Sequence, residues 1–309
     1  MKKLFLVLVL MFLVVYTWFN YSSKTVGYVY NPITNADDYL SEKKTTLNLV
    51  TFNILGNVDK AFQYFSRLGI KFVIGPSMST DGMKILPYLK KYKMLSISPT
   101  ISSTKLLNSG YFYSFTPSNL QIIDAFKKYL KLFEVNRILL VLDNNNREYA
   151  DEFKSLLNVF AGNYVYYDDI SSLFSVETSQ FDAVILTTIG TESAKIVKYI
   201  RTKDDDVRII VSEAAFTPEF LSLGGSVVVN TYAVVPSLSV RNTETELIEE
   251  CERLLTDHRF LSIEQMKRFL SRSIINTKEG YLYFTPYGIS QKIGLYKVIE
   301  GQFKEVYSE

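Results

Sequence analysis

KFVIGPSMST (residues 71–80), MLSISPTISS (94–103), YFYSFTPSNLQ (111–121) and ILLVLD (138–143) decide how this chain folds. Each holds a short run of β-branched, aromatic or other apolar residues, and continuous runs of this kind belong to strands buried on both faces. The first three then pass into Ser, Thr and Pro, residues that end a strand and open a helix.

The same alternation extends outward. Residues 26–30 (VGYVY) and 47–52 (LNLVTF) read as strands. Asn57 is a predicted N-cap for a helix carrying Val58, Ala61, Phe62, Phe65 and Leu68 at helical spacing, and Gly69 ends it before the strand at 71–74. Pro87 interrupts the next helical pattern, which is therefore expected to be kinked or short. Ser118 and Gln121 form a capping box ahead of Ile122, Ile123, Phe126, Leu130 and Phe133. Tyr149, Phe153, Leu156, Leu157 and Phe160 mark another helix, and strands are predicted near 164–167, 183–187, 207–211 and 227–229. Apolar strands alternating with amphipathic helices give an α/β class with parallel sheets covered on both faces. Ten or so strands exceed one compact doubly wound sheet, so two are expected, with Tyr111 to Phe115 and Thr116-Pro117-Ser118 as the hinge between them.

Composition narrows the function. The 309 residues carry 34 basic and 32 acidic side chains, a net charge of +2, with no like-charge run of the kind that tracks a nucleic-acid backbone. One Cys, Cys251, and one His, His258, exclude an internal disulfide and a zinc site built from thiolates and imidazoles. Cys251 reads as a buried small hydrophobe and His258 as a surface loop residue. No strand is followed by GxGxxG, GxxxxGK or GxSxG, the patterns that cradle phosphates or raise a serine nucleophile. No catalytic residue, metal or cofactor is assigned, and nucleic acid is not an expected partner.

At the N-terminus, Lys2 and Lys3 precede an apolar run from Leu4 to Phe19 broken only by Thr17. This is the shape of a secretory signal peptide, and its 16 residues with interfacial Tyr16, Trp18, Phe19 and Tyr21 also approach an uncleaved signal anchor. Both alternatives place the lysines on the cytoplasmic side and the chain beyond Lys24 outside.

In an open parallel sheet the ligand site lies beyond the carboxyl ends of the strands. The segments there are Gly75 to Thr80, Ser98 to Ser103, Asp143 to Tyr149, and Ser212-Glu213-Ala214. Backbone N–H groups and hydroxyls at helix starts suit a carboxylate, although serines in such places also serve simply as caps. Glu213 suits an ammonium, and the two halves together describe a zwitterion.

The arrangement resembles the type I periplasmic solute-binding proteins, specifically the branched-chain amino acid (Leu/Ile/Val) group. Residues 71 to about 157 carry the likeness, from KFVIGP through Ser79, LSISPTISS, YFYSFTPS with Gln121, and Ile138 to Asp143 before Tyr149-Ala150. The tail EGYLYFTPYG (279–288), then Leu295 to Val298 and Gly301-Gln302-Phe303, is similar to the family's closing hairpin. The resemblance implies two doubly wound parallel-sheet lobes joined by a three-crossover hinge that close on a ligand. One lobe would take 25–117 and about 236–288, the other 118–235 and about 289–309, behind a leader of 1–24. It implies that Ser79 and Ser102 hold the ligand's carboxylate and amine with their hydroxyls. The Thr100 carbonyl would accept the ammonium, Tyr149 would cover the ligand, and Glu213 would pair with the ammonium. The implied function is an exported binding protein that captures a small amino acid-like ligand for the membrane subunits of an ABC transporter. The alternative is a membrane-anchored ligand-sensing or non-transport scaffold protein. One departure from the family is plain: only Asn31 to Thr46 separates the first two strands, room for a single short helix around Ala36 to Glu42.

Overall fold

A computed structural model describes residues 7–16, 25–32, 47–203, 206–241, 243–258, 261–272, 274–277, 280–285 and 288–308. Strands β1 (Thr25–Tyr30), β2 (Asn48–Asn53), β3 (Phe72–Ile74), β4 (Leu95–Ser98) and β5 (Phe112–Ser114) pair in parallel in the order β2-β1-β3-β4-β5. The next five are β6 (Ile138–Asp143), β7 (Ala161–Tyr167), β8 (Ala183–Leu186), β9 (Arg208–Val211) and β10 (Tyr232–Pro236), parallel in the order β7-β6-β8-β9-β10. The order 2-1-3-4-5 thus occurs twice. A small antiparallel sheet of β11 (Ile274–Thr277), β12 (Gly280–Thr285) and β13 (Gly288–Ile289) follows. Last, the hairpin β14 (Ile293–Ile299) and β15 (Gln302–Ser308) adds antiparallel to β10, turning through Glu300 and Gly301, both at positive φ.

The strands behave as their apolar runs require: β3, β4, β6 and β8 are buried at every residue. Helices cover both faces of each sheet. In the first, α2 (Val58–Arg67), α3 (Ser79–Tyr92) and α4 (Thr104–Leu107) bring Phe62, Phe65, Ile85, Leu89 and Leu106 onto Val29 and Val73. On its other face, α10 (Glu244–His258) and α11 (Ile263–Leu270) bring Leu247, Cys251 and Met266 onto Val26, Tyr28 and Ile97. The second sheet is covered by α5 (Asn119–Leu132) and α6 (Arg147–Leu156) through Ile122, Phe126 and Phe153, and by α7 (Gly190–Arg201) and α8 (Pro218–Gly224) through Ile196 and Phe220.

The chain crosses between the sheets three times: from β5 to α5, from β10 through α9 (Ser237–Arg241) to α10, and from β13 to β14. Hydrogen bonds lace the crossings together. Gln291 donates to the Phe115 carbonyl (3.2 Å) and accepts from the Leu238 N–H (2.7 Å), while the Ser237 N–H reaches the Lys292 carbonyl (2.8 Å). Pro117 and Gly288 form an isolated bridge at this point.

Several local expectations change. The apolar triplet predicted as a strand at 227–229 lies in a 3-10 turn, Gly225–Val228, where Gly225 takes a positive φ; the strand comes later, as β10. Helix α3 runs unbroken through Pro87, which stands on its exposed side. The α10 helix continues through Asp257, so His258 is not in a loop. It ends the helix half-buried, its ring 4.0 Å from that of Phe269, and burial holds its pKa below the ordinary value. Cys251 is buried as read, and burial pushes its thiol well up. Residues 7–16 (α1) are helical with their apolar side chains exposed. Among the described residues no helix is long and apolar enough to cross a membrane. The helix expected at Ala36 to Glu42, and the lysines and flanks of the leader, lie outside the described residues.

Gly288 is required at the crossing. Its φ is +89°, and a Cβ there would lie 2.7 Å from the Thr116 carbonyl oxygen. At Gly69 the φ is +72° but nothing lies within 4 Å. Gly69→Ala should therefore show only backbone strain, on the order of 1 kcal/mol, and Gly288→Ala should cost at least about 2 kcal/mol more. Urea unfolding of both variants checks this, and equal losses would refute the close approach at the crossing.

Candidate functional site

Both sheets reverse their strand order between the first and third strands, and in doubly wound sheets a crevice opens there beyond the carboxyl ends. In the first sheet the segments at this point follow β3 and β4. They are stitched by hydroxyls: Ser96 to the Gly75 carbonyl (2.5 Å), Ser98 to that of Pro76 (2.7 Å) and Thr100 to that of Ser77 (3.0 Å). Ser79 and Ser102 are buried. The Ser79 hydroxyl accepts the Ser103 N–H (3.2 Å), and the Ser102 carbonyl accepts the Asn119 N–H (2.7 Å) at the first crossing. The structure thus places Ser79, Thr100 and Ser102 in one knot of loops, with the Thr100 hydroxyl turned to its own scaffold. Asn31, the residue after β1, donates to the buried carboxylate of Asp81 (2.6 Å).

In the second sheet, β6 ends at Asp143, whose carboxyl accepts the Asn145 N–H (2.8 Å) and is pushed above the ordinary carboxylate range by burial. Helix α6 then starts. Its residue Tyr149 is buried against Phe153, with ring centroids 4.8 Å apart, and its hydroxyl donates to Glu213 Oε1 (3.0 Å) beyond the end of β9. Tyr149 and Glu213 are thus brought together. The ring of Tyr149 belongs to the core, and only its hydroxyl reaches the site. Burial raises the Glu213 carboxyl to about 7, although its own N–H and the Tyr149 hydroxyl pull it back. Burial likewise holds the Tyr149 hydroxyl well above its usual value, with the nearby Glu213 charge adding to the effect. Glu213 Oε2 and the Ser212 hydroxyl are buried without a hydrogen-bond partner among the described residues.

The two knots meet directly. Neither α3 nor α6 has a side-chain cap of its own, so each leaves N-terminal N–H groups unsatisfied. Each is capped by the other: the Thr80 N–H donates to Asn146 Oδ1 (3.1 Å), and the Glu148 N–H donates to the Thr80 hydroxyl (3.1 Å). One turn further along α6, the Glu152 carboxylate accepts from the Ser103 hydroxyl (3.1 Å), the Thr104 N–H (3.1 Å), the Lys105 N–H (3.4 Å) and the Asn119 amide (2.8 Å). Glu148 also accepts from the Ser103 hydroxyl (3.3 Å), and Lys105 Nζ lies 4.0 Å from it. Acidic side chains facing helix N-termini are favourable, because the dipoles leave partial positive charge there.

The strand-end segments included Thr80, Ser103, Asn146 and Glu148 without assigning any of them a role, and Asn119 and Glu152 fell outside those segments. The available signal was the i, i+4 spacing of Glu148 and Glu152, a row flanking the apolar row of Tyr149 and Phe153 on one helix. A cavity of about 570 Å³ lies apart from this site, beside Asp151, Lys154, Tyr164 and Tyr166. The Lys154 ammonium, 3.7 Å from the Tyr164 ring centroid, and the Arg147 guanidinium, 4.1 Å from that of Tyr166, cover its aromatic faces. Among the described residues no group of three or more His, Cys, Asp or Glu side chains could hold a metal ion.

No protein-family model matches the chain, and no curated protein matches it in sequence. Solved structures match it in fold along nearly all its length. A leucine-binding protein from Thermotoga maritima superposes with a TM-score of 0.72 at 13% identity, covering 92% of this chain and 98% of that one. The branched-chain amino acid transporter substrate-binding protein LivJ from Streptococcus pneumoniae, in complex with isoleucine, gives 0.69 at 14%, covering 92% and 99%. A solute-binding protein from Rhodopseudomonas palustris in complex with benzoate gives 0.72 at 12%, covering 92% and 96%. With its repeated 2-1-3-4-5 sheets and three laced crossings, the chain has the fold of the type I periplasmic binding proteins.

Proposed function

We propose that this chain is a solute-binding protein, and not an enzyme, that takes a small amino acid-like molecule bearing an amine between its two halves. The observation that carries this reading is Glu213. A carboxylate buried beside Tyr149, with one oxygen unpartnered and a pKa near 7, is costly to keep in a fold unless it meets a cation. Isoleucine and leucine, bound in fold neighbours, carry such an ammonium, although the benzoate-bound neighbour shows that the fold also holds a simple carboxylate. On this reading Ser79, Thr100 and Ser102 supply the hydroxyl and carbonyl contacts of the first lobe, and Tyr149 orients Glu213. The lobes are 25–117 with about 236–288, and 118–235 with about 289–309. The apolar N-terminal segment exports the chain, and ABC transporter membrane subunits receive the solute. His258, stacked on Phe269, and Cys251, buried under the first sheet, are not placed to do chemistry on it.

A second reading, an anchored ligand-sensing or scaffold protein, is favoured by the exposed apolar side chains of α1. The mass of the mature protein separates the two: retention of residues 1–19 supports the anchor, and a start near 22–25 supports the free carrier.

The pH dependence follows from Glu213. Its folded pKa is raised, so the folded protein holds a proton that the unfolded chain has lost between about 4.5 and 7. Ligand-free stability should therefore fall as pH rises through this window. An ammonium ligand needs the ionised carboxylate, so affinity should rise from pH 5.5 to 8, with a proton released on binding at the acid end. Calorimetry in buffers of different ionisation enthalpy measures both effects, and an affinity flat across the range would remove Glu213 from the site. Glu213→Gln should abolish the pH dependence and weaken amine binding at least tenfold. Ser102→Ala should cost about 1–3 kcal/mol of affinity, and an unchanged constant would remove its hydroxyl from the ligand contacts.

A further inference from the structure

The groups that bridge the two halves also bear on which ligand can enter. The resemblance assigns the Ser79 and Ser102 hydroxyls to the ligand's carboxylate and amine, but the N–H groups and the Ser103 hydroxyl beside them, which would complete an anion site, are in use. The Thr80 N–H is taken by Asn146, and the Ser103 hydroxyl and the Thr104 and Lys105 N–H groups are taken by Glu152. The Asn119 amide joins them. Glu152 is thus held by four donors drawn from three successive residues and from the start of α5, an arrangement that presents a carboxylate where a bound anion would sit.

The charges differ between the two glutamates. Glu148 has the Lys105 ammonium at 4.0 Å. Glu152 takes neutral donors, and no ion pair reaches it among the described residues. Tyr149, on the same helix, carries the link onward to Glu213, whose Oε2 is buried and unpartnered, next to the buried, unpartnered Ser212 hydroxyl. The Asn119 Oδ1 is buried and unpartnered as well. Among the described residues the open groups of the site are two acceptors, Glu213 Oε2 and Asn119 Oδ1, and two hydroxyls, those of Ser212 and Thr104. The acceptors suit an N–H donor, and the charge of Glu152 disfavours a second carboxylate close to it.

We propose that Glu152 is a resident carboxylate that determines specificity: it fills the anion position between the halves and restricts the ligand to a primary amine without a carboxylate of its own. The proposal rests on the reading that solute binds between the halves through Glu213, and it replaces the zwitterion expected from sequence by a simple cation.

The test is calorimetry on the full chain at pH 8 with two matched pairs, 3-methylbutylamine against leucine and putrescine against ornithine. Wild type should prefer the amine of at least one pair by tenfold or more. Glu152→Gln, which keeps the size of the side chain, should narrow that preference at least tenfold. Asn146→Ala, which removes a neutral bridge and leaves the charge, should keep it. Circular dichroism and thermal unfolding establish that both variants are folded. A wild type that prefers the amino acid, a preference unmoved by Glu152→Gln, or one narrowed equally by Asn146→Ala would each overturn the role of Glu152 while leaving solute binding intact. If none of the four probes binds wild type or variant, the solute-binding reading fails, and the inference falls with it.

Discussion

Two helix N-termini that lack caps of their own, set end to end, organise the space between the halves. Helix α3 starts after β3, the third strand of the first sheet, and α6 after β6, the first strand of the second, so each begins beside the point where its sheet reverses strand order. Placing two such ends together would oppose two partial positive charges. The chain resolves this with side chains from the other half: Asn146 and Thr80 exchange hydrogen bonds with backbone N–H groups, and Glu148 and Glu152 bring negative charge to the same place. Each cap of this kind is worth about 1 kcal/mol, and hydrogen bonds to a carboxylate are somewhat stronger. The junction is therefore strong enough to hold the halves together and weak enough for a hinge to open.

The hinge has its own rigidity. Gln291 and Lys292 on the third crossing reach Phe115 on the first and Ser237 and Leu238 on the second, and Gly288 allows the third crossing to lie against Thr116 and Pro117. Three strands of chain fixed to one another can bend together but cannot slide independently.

How much of this was legible in the sequence depends on the range of the interaction. The buried strands, the capping box at Ser118 and the N-cap at Asn57 are local, set by residues within a few positions, and they stand where the pattern put them. The strand misplaced to 227–229 fails for a local reason too: Gly224 and Gly225 turn the chain before the valines can extend, and Val228 is buried from within a turn. His258 was misread because a run of polar residues looked like a break, whereas Phe269 from the next helix offers its ring a surface. The contacts at the junction of the halves span 45 to 68 positions, as from Ser103 to Glu148 and from Thr80 to Glu148, and no spacing rule reaches that far. Strand-end logic named Ser79, Thr100, Ser102, Tyr149 and Glu213, which lie in the segments that follow β3, β4, β6 and β9. It could not tell that the neighbours Thr80 and Ser103 would make the contacts across the boundary.

Glu213 and Glu152 show how one residue type takes two roles through its surroundings. Glu152 sits where four donors converge, so its charge is spread over hydrogen bonds and its acceptor capacity is spent. Glu213 has the Tyr149 hydroxyl and its own N–H, and its second oxygen faces protein without a partner. The first is structurally satisfied and electrically intrusive, and the second is structurally unsatisfied and ready for a proton or a cation. Helix α6 links them, since Tyr149 and Glu152 stand three residues apart on the same side of it.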